Sequence, residues 1–279
     1  IQEYMKAKQS GENLSFLGHL EALRWHLIRM VVAVVVCAVV AFSFSNIIFD
    51  SILLAPRHPE FITNRLLGEL AAMLGLDGWK LNPNPLPLQN ITMSGQFTTD
   101  ISISMIAGFI LAFPYVAWEV WSFVAPALYE NERRVARGAV GAISVLFLLG
   151  IMFGYFIIVP FSVHFLGGYT VSAEVVNVVN LNSYFSTVSS ITLASGLLFE
   201  LPVVVYFLTK VGLLTPEFMI RYRRHAIVVL LVIAAVITPP EVFSQILVMI
   251  PLLALYELSV WLSRRVVKQK ANKLIKNES

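Results

Sequence analysis

The sequence predicts an all-α integral membrane protein with six transmembrane helices and both termini on the cytoplasmic side. Three observations carry this. Of 279 residues, 57% are hydrophobic and only 13% charged, against roughly 25% charged in a soluble domain; the mean hydropathy is +0.76. The apolar residues gather in long runs, most of them reaching the ~20 residues that a helix needs to cross a bilayer. The third is the placing of the cations. Of the 20 Lys and Arg, all but Arg57, Arg65 and Lys80 fall in segments that six crossings put on one side. Surplus Lys and Arg mark cytoplasmic segments, so the net charge of +3 does not imply nucleic acid. The single cysteine, Cys37, lies inside an apolar run; no intramolecular disulfide is possible, and it reads as a small packing residue.

Taken in order, residues 1–26 read as a cytoplasmic amphipathic segment. Phe16, Leu17, Leu20, Leu23 and Leu27 have helical spacing, with His19, Arg24 and His26 off that face. A short helix along the membrane surface is expected before a first span at 27–49. That apolar run is too long and begins too late for a cleaved signal peptide. Residues 50–96 form a large outer, periplasmic loop holding Pro56, Pro59, Pro83, Pro85 and Pro87, with a helical patch near 64–76. The second span is expected at 97–118 and the third at 139–161. Gly150 and Gly154 stand four apart in the third, a spacing that lets helices approach closely. The fourth covers 184–208 and carries Glu200.

The last two spans are short. Ala226–Ile237 reaches only about 18 Å as a helix, against a hydrocarbon core of roughly 30 Å. Local thinning of the bilayer would relieve that mismatch. Thr238-Pro239-Pro240-Glu241 forces a turn, and 242–262 returns, interrupted by Pro251. The tail 263–279 is basic.

Between spans two and three lies Phe123-Val-Ala-Pro-Ala-Leu-Tyr-Glu-Asn-Glu-Arg-Arg134. Pro126 breaks any helix through it and pushes Ala125 out of helical geometry. Glu119, Glu130 and Glu132 lie near Arg133, Arg134 and Arg137. The bland reading is an ordinary charged loop; the sharper one is a docking surface offering carboxylates to a cationic partner.

No catalytic constellation is visible: no HExxH, GxSxG, phosphate loop or cysteine pair. The chain reads as a non-enzyme without a cofactor. His19 and His26, seven apart and without a third ligand, make a poor metal site, and no metal is expected. His225 sits among arginines at a membrane boundary and suits a lipid headgroup. Glu200 is the informative intramembrane group, since a carboxylate near the bilayer centre costs ~3 kcal/mol or more. It is either a protonated packing residue or a polar point in a cavity. Glu241 and Gln245 make a second polar cluster, and a Gln on a membrane helix bonds either within its chain or to another subunit.

Four segments in order, His19-Leu-Glu-Ala-Leu-Arg24, the loop 123–134, Phe199-Glu-Leu-Pro202 and Thr238-Pro-Pro-Glu-Val-Phe-Ser-Gln245, closely resemble the TatC family, the multi-spanning receptor subunits of the twin-arginine protein translocase. The resemblance runs from about Ser15 to Arg265. It implies a concave, bowl-like bundle of six helices in the cytoplasmic (inner) membrane. It also implies a core translocase subunit that exports folded proteins with the proton-motive force. The implied partners are twin-arginine signal peptides, the single-span subunits TatA and TatB, further TatC copies and membrane lipids. By resemblance the signal-binding positions are Glu132, Phe123 and Leu128, with Glu21 and Arg24 from the N-terminal motif. Where the family usually has Glu in that motif this chain has Ala22, with Glu21 one step earlier, about 100° round the helix. Glu200 matches an intramembrane Glu of the family, and Glu241 and Gln245 match positions where partner helices dock.

The chemistry agrees with that implication. Arg grips carboxylates bidentately, as Lys cannot. An exposed charge pair contributes only roughly 0–1 kcal/mol, so recognition also needs apolar contact, which Phe123 and Leu128 offer. The rival reading is a small secondary transporter with Glu200 as its proton or substrate site. Such folds often carry inverted repeats, and no convincing repeat is visible here.

Overall fold

The computed structural model describes residues 16–75, 81–124, 133–170, 172, 174, 178–238 and 242–278. Leu128, Glu130, Glu132, Pro239, Pro240 and Glu241 lie outside them. The helices are α1 (Phe16–Ser43), α2 (Ile62–Met73), α3 (Gly95–Val124), α4 (Arg133–Phe153), α5 (Val159–Gly168), α6 (Leu181–Leu198), α7 (Leu201–Val211), α8 (Pro216–Arg221), α9 (Arg223–Ile237) and α10 (Val242–Glu278). A π-helical turn, Gly154–Ile158, joins α4 to α5. Strands β1 (Leu88–Gln89) and β2 (Val179–Asn180) pair in parallel, Leu88 opposite Val179.

Five stretches are long and apolar enough to cross a membrane: Leu20–Ser43, Gly95–Val124, Gly138–Gly168, Leu181–Val211 and Gln245–Gln269. The molecule is an all-α, multi-pass membrane protein. The fifth apolar run forms α9, whose 15 residues rise about 22 Å, short of a ~30 Å core.

Two expectations change. The separate surface helix does not form: α1 continues from Phe16 to Ser43 as one rod. Nor does Pro251 interrupt the last span, since α10 runs through it to Glu278.

The chain divides into two compact units, Ile1–Ser45 with Ile101–Ser144, and Asn46–Asp100 with Val145–Ser279. In the first, α1 buries small residues, Ala22, Ala38 and Ala41, and turns Leu27, Val31, Val36 and Val39 outward. Membrane helices associate this way, because lipid satisfies the large apolar side chains and small residues let backbones meet. A Cβ on Gly108 of α3 would stand 2.4 Å from the Ala38 amide nitrogen, so the two helices touch backbone to backbone there.

In the second unit the same logic forms a seam. Cβ atoms on Gly150 and Gly154 would stand 2.5 Å from the Ser195 carbonyl oxygen and 2.8 Å from its Cβ, respectively. Here the expected close approach at Gly150 and Gly154 is met, with α6 as the neighbour. Buried Thr209 on α7 donates to Ser263 on α10 at 2.9 Å.

Two prolines decide where helices change. Pro202 has no N–H for the Leu198 carbonyl, and α6 ends at Leu198; after Phe199 and Glu200, α7 begins at Leu201. Pro160 likewise cannot serve the Phe156 carbonyl, which instead accepts from the Thr63 hydroxyl of α2.

That contact is one of several that pin the large loop. Tyr184 Oη donates to the Leu53 carbonyl at 2.9 Å and Tyr155 Oη to Ile52 at 2.6 Å. Asn82, at φ 51°, donates through Nδ2 to the carbonyls of Pro56 (3.4 Å) and Pro160 (3.3 Å). Such φ values favour Asn among non-glycine residues.

Candidate functional site

Within the first unit, α1 and α3 run antiparallel. The Ala38–Gly108 touch fixes one point, and a second lies where α3 leads into residues 125–132. There His26 of α1 meets Glu119 of α3. Twelve positions separate His26 from Ala38 and eleven separate Gly108 from Glu119, or about 18 Å and 17 Å of helix, so the two contacts keep a common register.

Glu119 is only 8% exposed. Its Oε2 lies against His26 Nδ1, and its Oε1 accepts from Tyr115 Oη at 2.7 Å. Arg29 Nη1 stands 4.0 Å from Oε1, with its side chain 59% exposed against 10% for Glu119. An ionised carboxylate only accepts, so toward a charged Glu119 the imidazole Nδ1 is the donor. Stripping one partner from such a buried pair typically costs ~3–5 kcal/mol.

The imidazole also meets Phe123 edge-on, with centroids 5.9 Å apart at 65°. Tyr115, Glu119 and Phe123 stand at four-residue intervals, so they line one face of α3. Phe123 is half-buried.

The remaining sequence-derived residues divide. Glu21 and Arg24 are exposed on α1, whereas Ala22 is buried, so Glu21 and Ala22 occupy different faces. Glu132 and Leu128 lie outside the described residues. Glu119, counted with Glu130 and Glu132 in the acidic stretch, is a buried, paired group. His26 is engaged by that carboxylate, and no group of three or more His, Cys, Asp and Glu suited to a metal occurs among the described residues. The Glu119–His26 pair was not legible as a contact, because the partners are 93 residues apart. A carboxylate four residues after a tyrosine at the end of an apolar run was the available signal.

In the second unit, Glu200 stands at the break between α6 and α7. Its Oε1 is buried and has no hydrogen-bond partner among the described residues. Gln245 Nε2 donates to the Leu231 carbonyl at 3.3 Å, joining α10 to α9. Glu241 lies outside the described residues.

A family profile described as Sec-independent protein translocase protein (TatC) matches residues 18–251. A TatC of Blattabacterium sp. subsp. Periplaneta americana is 39% identical over 267 residues, covering 94% of this chain and 100% of that one. A TatC of Halalkalibacterium halodurans is 36% identical, covering 95% and 96%. TatCy of Bacillus subtilis is 38% identical, covering 66% and 72%. Two crystal structures of the twin arginine translocase receptor TatC, one of them in DDM, superpose with TM-scores of 0.65 and 0.70. Both are 32% identical, covering 89% and 88% of this chain and 99% of each of theirs.

Proposed function

The chain belongs to the TatC family of Sec-independent protein translocase proteins, and from that premise we propose that it is the receptor for twin-arginine signal peptides, with the binding surface at the α3–α4 connection. It is a transport protein, a multi-pass component of the Tat translocase. The observation that supports the site is the placing of Phe123, which meets His26 edge-on two residues before the connection that contains Leu128 and Glu132.

In this reading Glu132 takes a guanidinium of the signal, and Phe123 and Leu128 supply apolar contact. Exposed Glu21 and Arg24 on α1 complete the surface. Consecutive residues of an extended peptide point to opposite sides, so paired arginines need acceptors on two sides, and Glu21 offers the second. The excess of Lys and Arg in the termini and in the α3–α4 and α7–α9 connections supports a cytoplasmic placement of both termini, with six crossings that include α9. The membrane is the cytoplasmic one, and the proton-motive force drives export.

Glu241 and Gln245 then serve as contacts for the spans of TatA and TatB, and Glu200 is an intramembrane polar point in a cavity rather than the solute or proton site of a small transporter. Gln245 has its bond to Leu231 to give up or share. Other TatC copies and bilayer lipids complete the set of partners; no catalytic step or cofactor is involved.

The test is site-specific photocrosslinking of a twin-arginine signal peptide to position 128. Crosslinks are expected in the wild-type protein and lost in Glu132→Ala. Crosslinks of wild-type strength in Glu132→Ala would remove Glu132 from the site.

A further inference from the structure

We propose that His26 and Glu119 are a positioning pair for signal recognition: the buried contact between them sets the direction of the Phe123 ring at the end of α3, and so controls how tightly a twin-arginine signal is held. The inference rests on the receptor reading above and adds two residues to it that do not themselves touch the peptide.

Three features separate this pair from ordinary helix packing. The first is saturation. Glu119 Oε2 is against His26, and Oε1 accepts from Tyr115 with Arg29 at its edge. With both oxygens engaged and the residue 8% exposed, Glu119 is occupied inside the helix pair and is not a free acceptor for a guanidinium from outside.

The second is that one imidazole bridges two elements of different character. Through Nδ1 it holds the carboxylate; through its ring edge it meets Phe123. Phe123 is the last residue but one of α3, which ends at Val124. A side chain there has little helix beyond it to fix its direction, and His26 supplies the fixed wall.

The third is the chemistry of the alternative. Small residues already bring α1 and α3 together at Ala38 and Gly108. Contacts between small apolar surfaces tolerate rotation and sliding, and a well-packed apolar pair in place of His26 and Glu119 would commonly be at least as stable. A buried polar pair is directional, and its best-attested use is to specify one register over neighbouring ones. Here the register it specifies is the one that aims Phe123.

The test uses the full-length protein reconstituted in nanodiscs, with 4-fluorophenylalanine at position 123 and a twin-arginine signal peptide. Two quantities are read: the fluorine resonance of residue 123 without peptide, and peptide affinity. Three variants are compared with wild type: Glu119→Gln, Tyr115→Phe and His26→Asn. Asparagine keeps a donor near the position of Nδ1 but removes the ring that meets Phe123. His26→Asn is therefore expected to melt near the wild-type temperature while its fluorine resonance shifts and peptide affinity falls by about 3- to 30-fold, the range for residues that act without touching the ligand. Glu119→Gln is expected to shift the resonance the same way and weaken binding comparably, and Tyr115→Phe to do both by less. The double variant Glu119→Gln/His26→Asn is expected to bind no more weakly than the worse single one, as for residues acting through one contact.

Unchanged resonance and affinity in His26→Asn, or losses that simply add in the double variant, would overturn the proposal. Should Glu119→Gln fail to fold, Tyr115→Phe and His26→Asn decide it. A wild-type protein that binds signals with and without arginines equally would instead overturn the receptor reading, and this proposal with it. The fluorine resonance, read without peptide, tells the two failures apart.

Discussion

The Ala38 backbone occupies the place where a side chain on Gly108 would begin, with its amide nitrogen 2.4 Å and its Cα 2.5 Å from an ideal Cβ. No side-chain rearrangement relieves a clash with backbone. Gly108→Val should therefore separate α1 from α3 and lower stability by ~1–3 kcal/mol or more, read as a fall in melting temperature in detergent. Gly141→Ala is the control. Nothing lies within 4 Å of its Cβ, and Ala is favoured over Gly in a helix by about 1 kcal/mol, so that variant should melt at or above the wild-type temperature.

The seam in the second unit makes a matching prediction. Gly154 faces the Ser195 side chain, whose Cβ and Oγ would each be 2.8 Å from a new Cβ. Gly154→Leu should destabilise by ~1–3 kcal/mol. The Ser195 Cβ cannot turn away any more than backbone can, but it stands at 2.8 Å where the Ala38 backbone stands at 2.4 Å, so Gly154→Ala should cost less than Gly108→Ala. Equal losses in the two alanine variants would contradict that distinction.

Pro202 is expected to maintain the break beside Glu200. Pro202→Ala supplies an N–H for the Leu198 carbonyl, and removing an interior proline favours continuous helix by ~3 kcal/mol. Hydrogen exchange should then slow across residues 199–204. A pattern of protection unchanged from wild type would show that tertiary packing, and not the proline, breaks the helix.

Arg223 and Glu257 form an ion pair with both side chains half exposed. Such pairs contribute roughly 0–1 kcal/mol and weaken with salt. Arg223→Ala should shift the melting temperature little, and the shift should vanish at high ionic strength. A large, salt-independent loss would place that pair among the structural contacts.

Thr63→Val should cost ~1–3 kcal/mol, because it leaves the Phe156 carbonyl without the donor that replaces Pro160. The loss should appear in thermal melting and as faster exchange around α2.

How much of this was legible in the sequence depended on whether the signal was local. Composition and run length gave the membrane class, but the fourth span was expected unbroken over 184–208; the break at Phe199 and Glu200 was missed, although Pro202 carried the signal for it. The spacing of Gly150 and Gly154 gave a close helix contact but not its partner, Ser195. The N-terminal segment misled, because amphipathicity was read as for a surface helix. Leu20, Leu23 and Leu27 face outward, while Ala22 is buried and His26 meets Glu119 of α3, the arrangement lipid favours. Glu119 was grouped with the acidic loop by its position in the chain. Its burial depends on a residue 93 positions away, a separation at which periodicity carries no information.

The most direct measurement is the affinity of purified, full-length protein for a signal peptide carrying Arg-Arg and for the same peptide carrying Lys-Lys. Bidentate guanidinium recognition at Glu132 predicts that the Arg-Arg form binds more tightly, by up to about fivefold, with the difference lost in Glu132→Ala. Equal affinities for the two peptides in the wild-type protein would contradict the account.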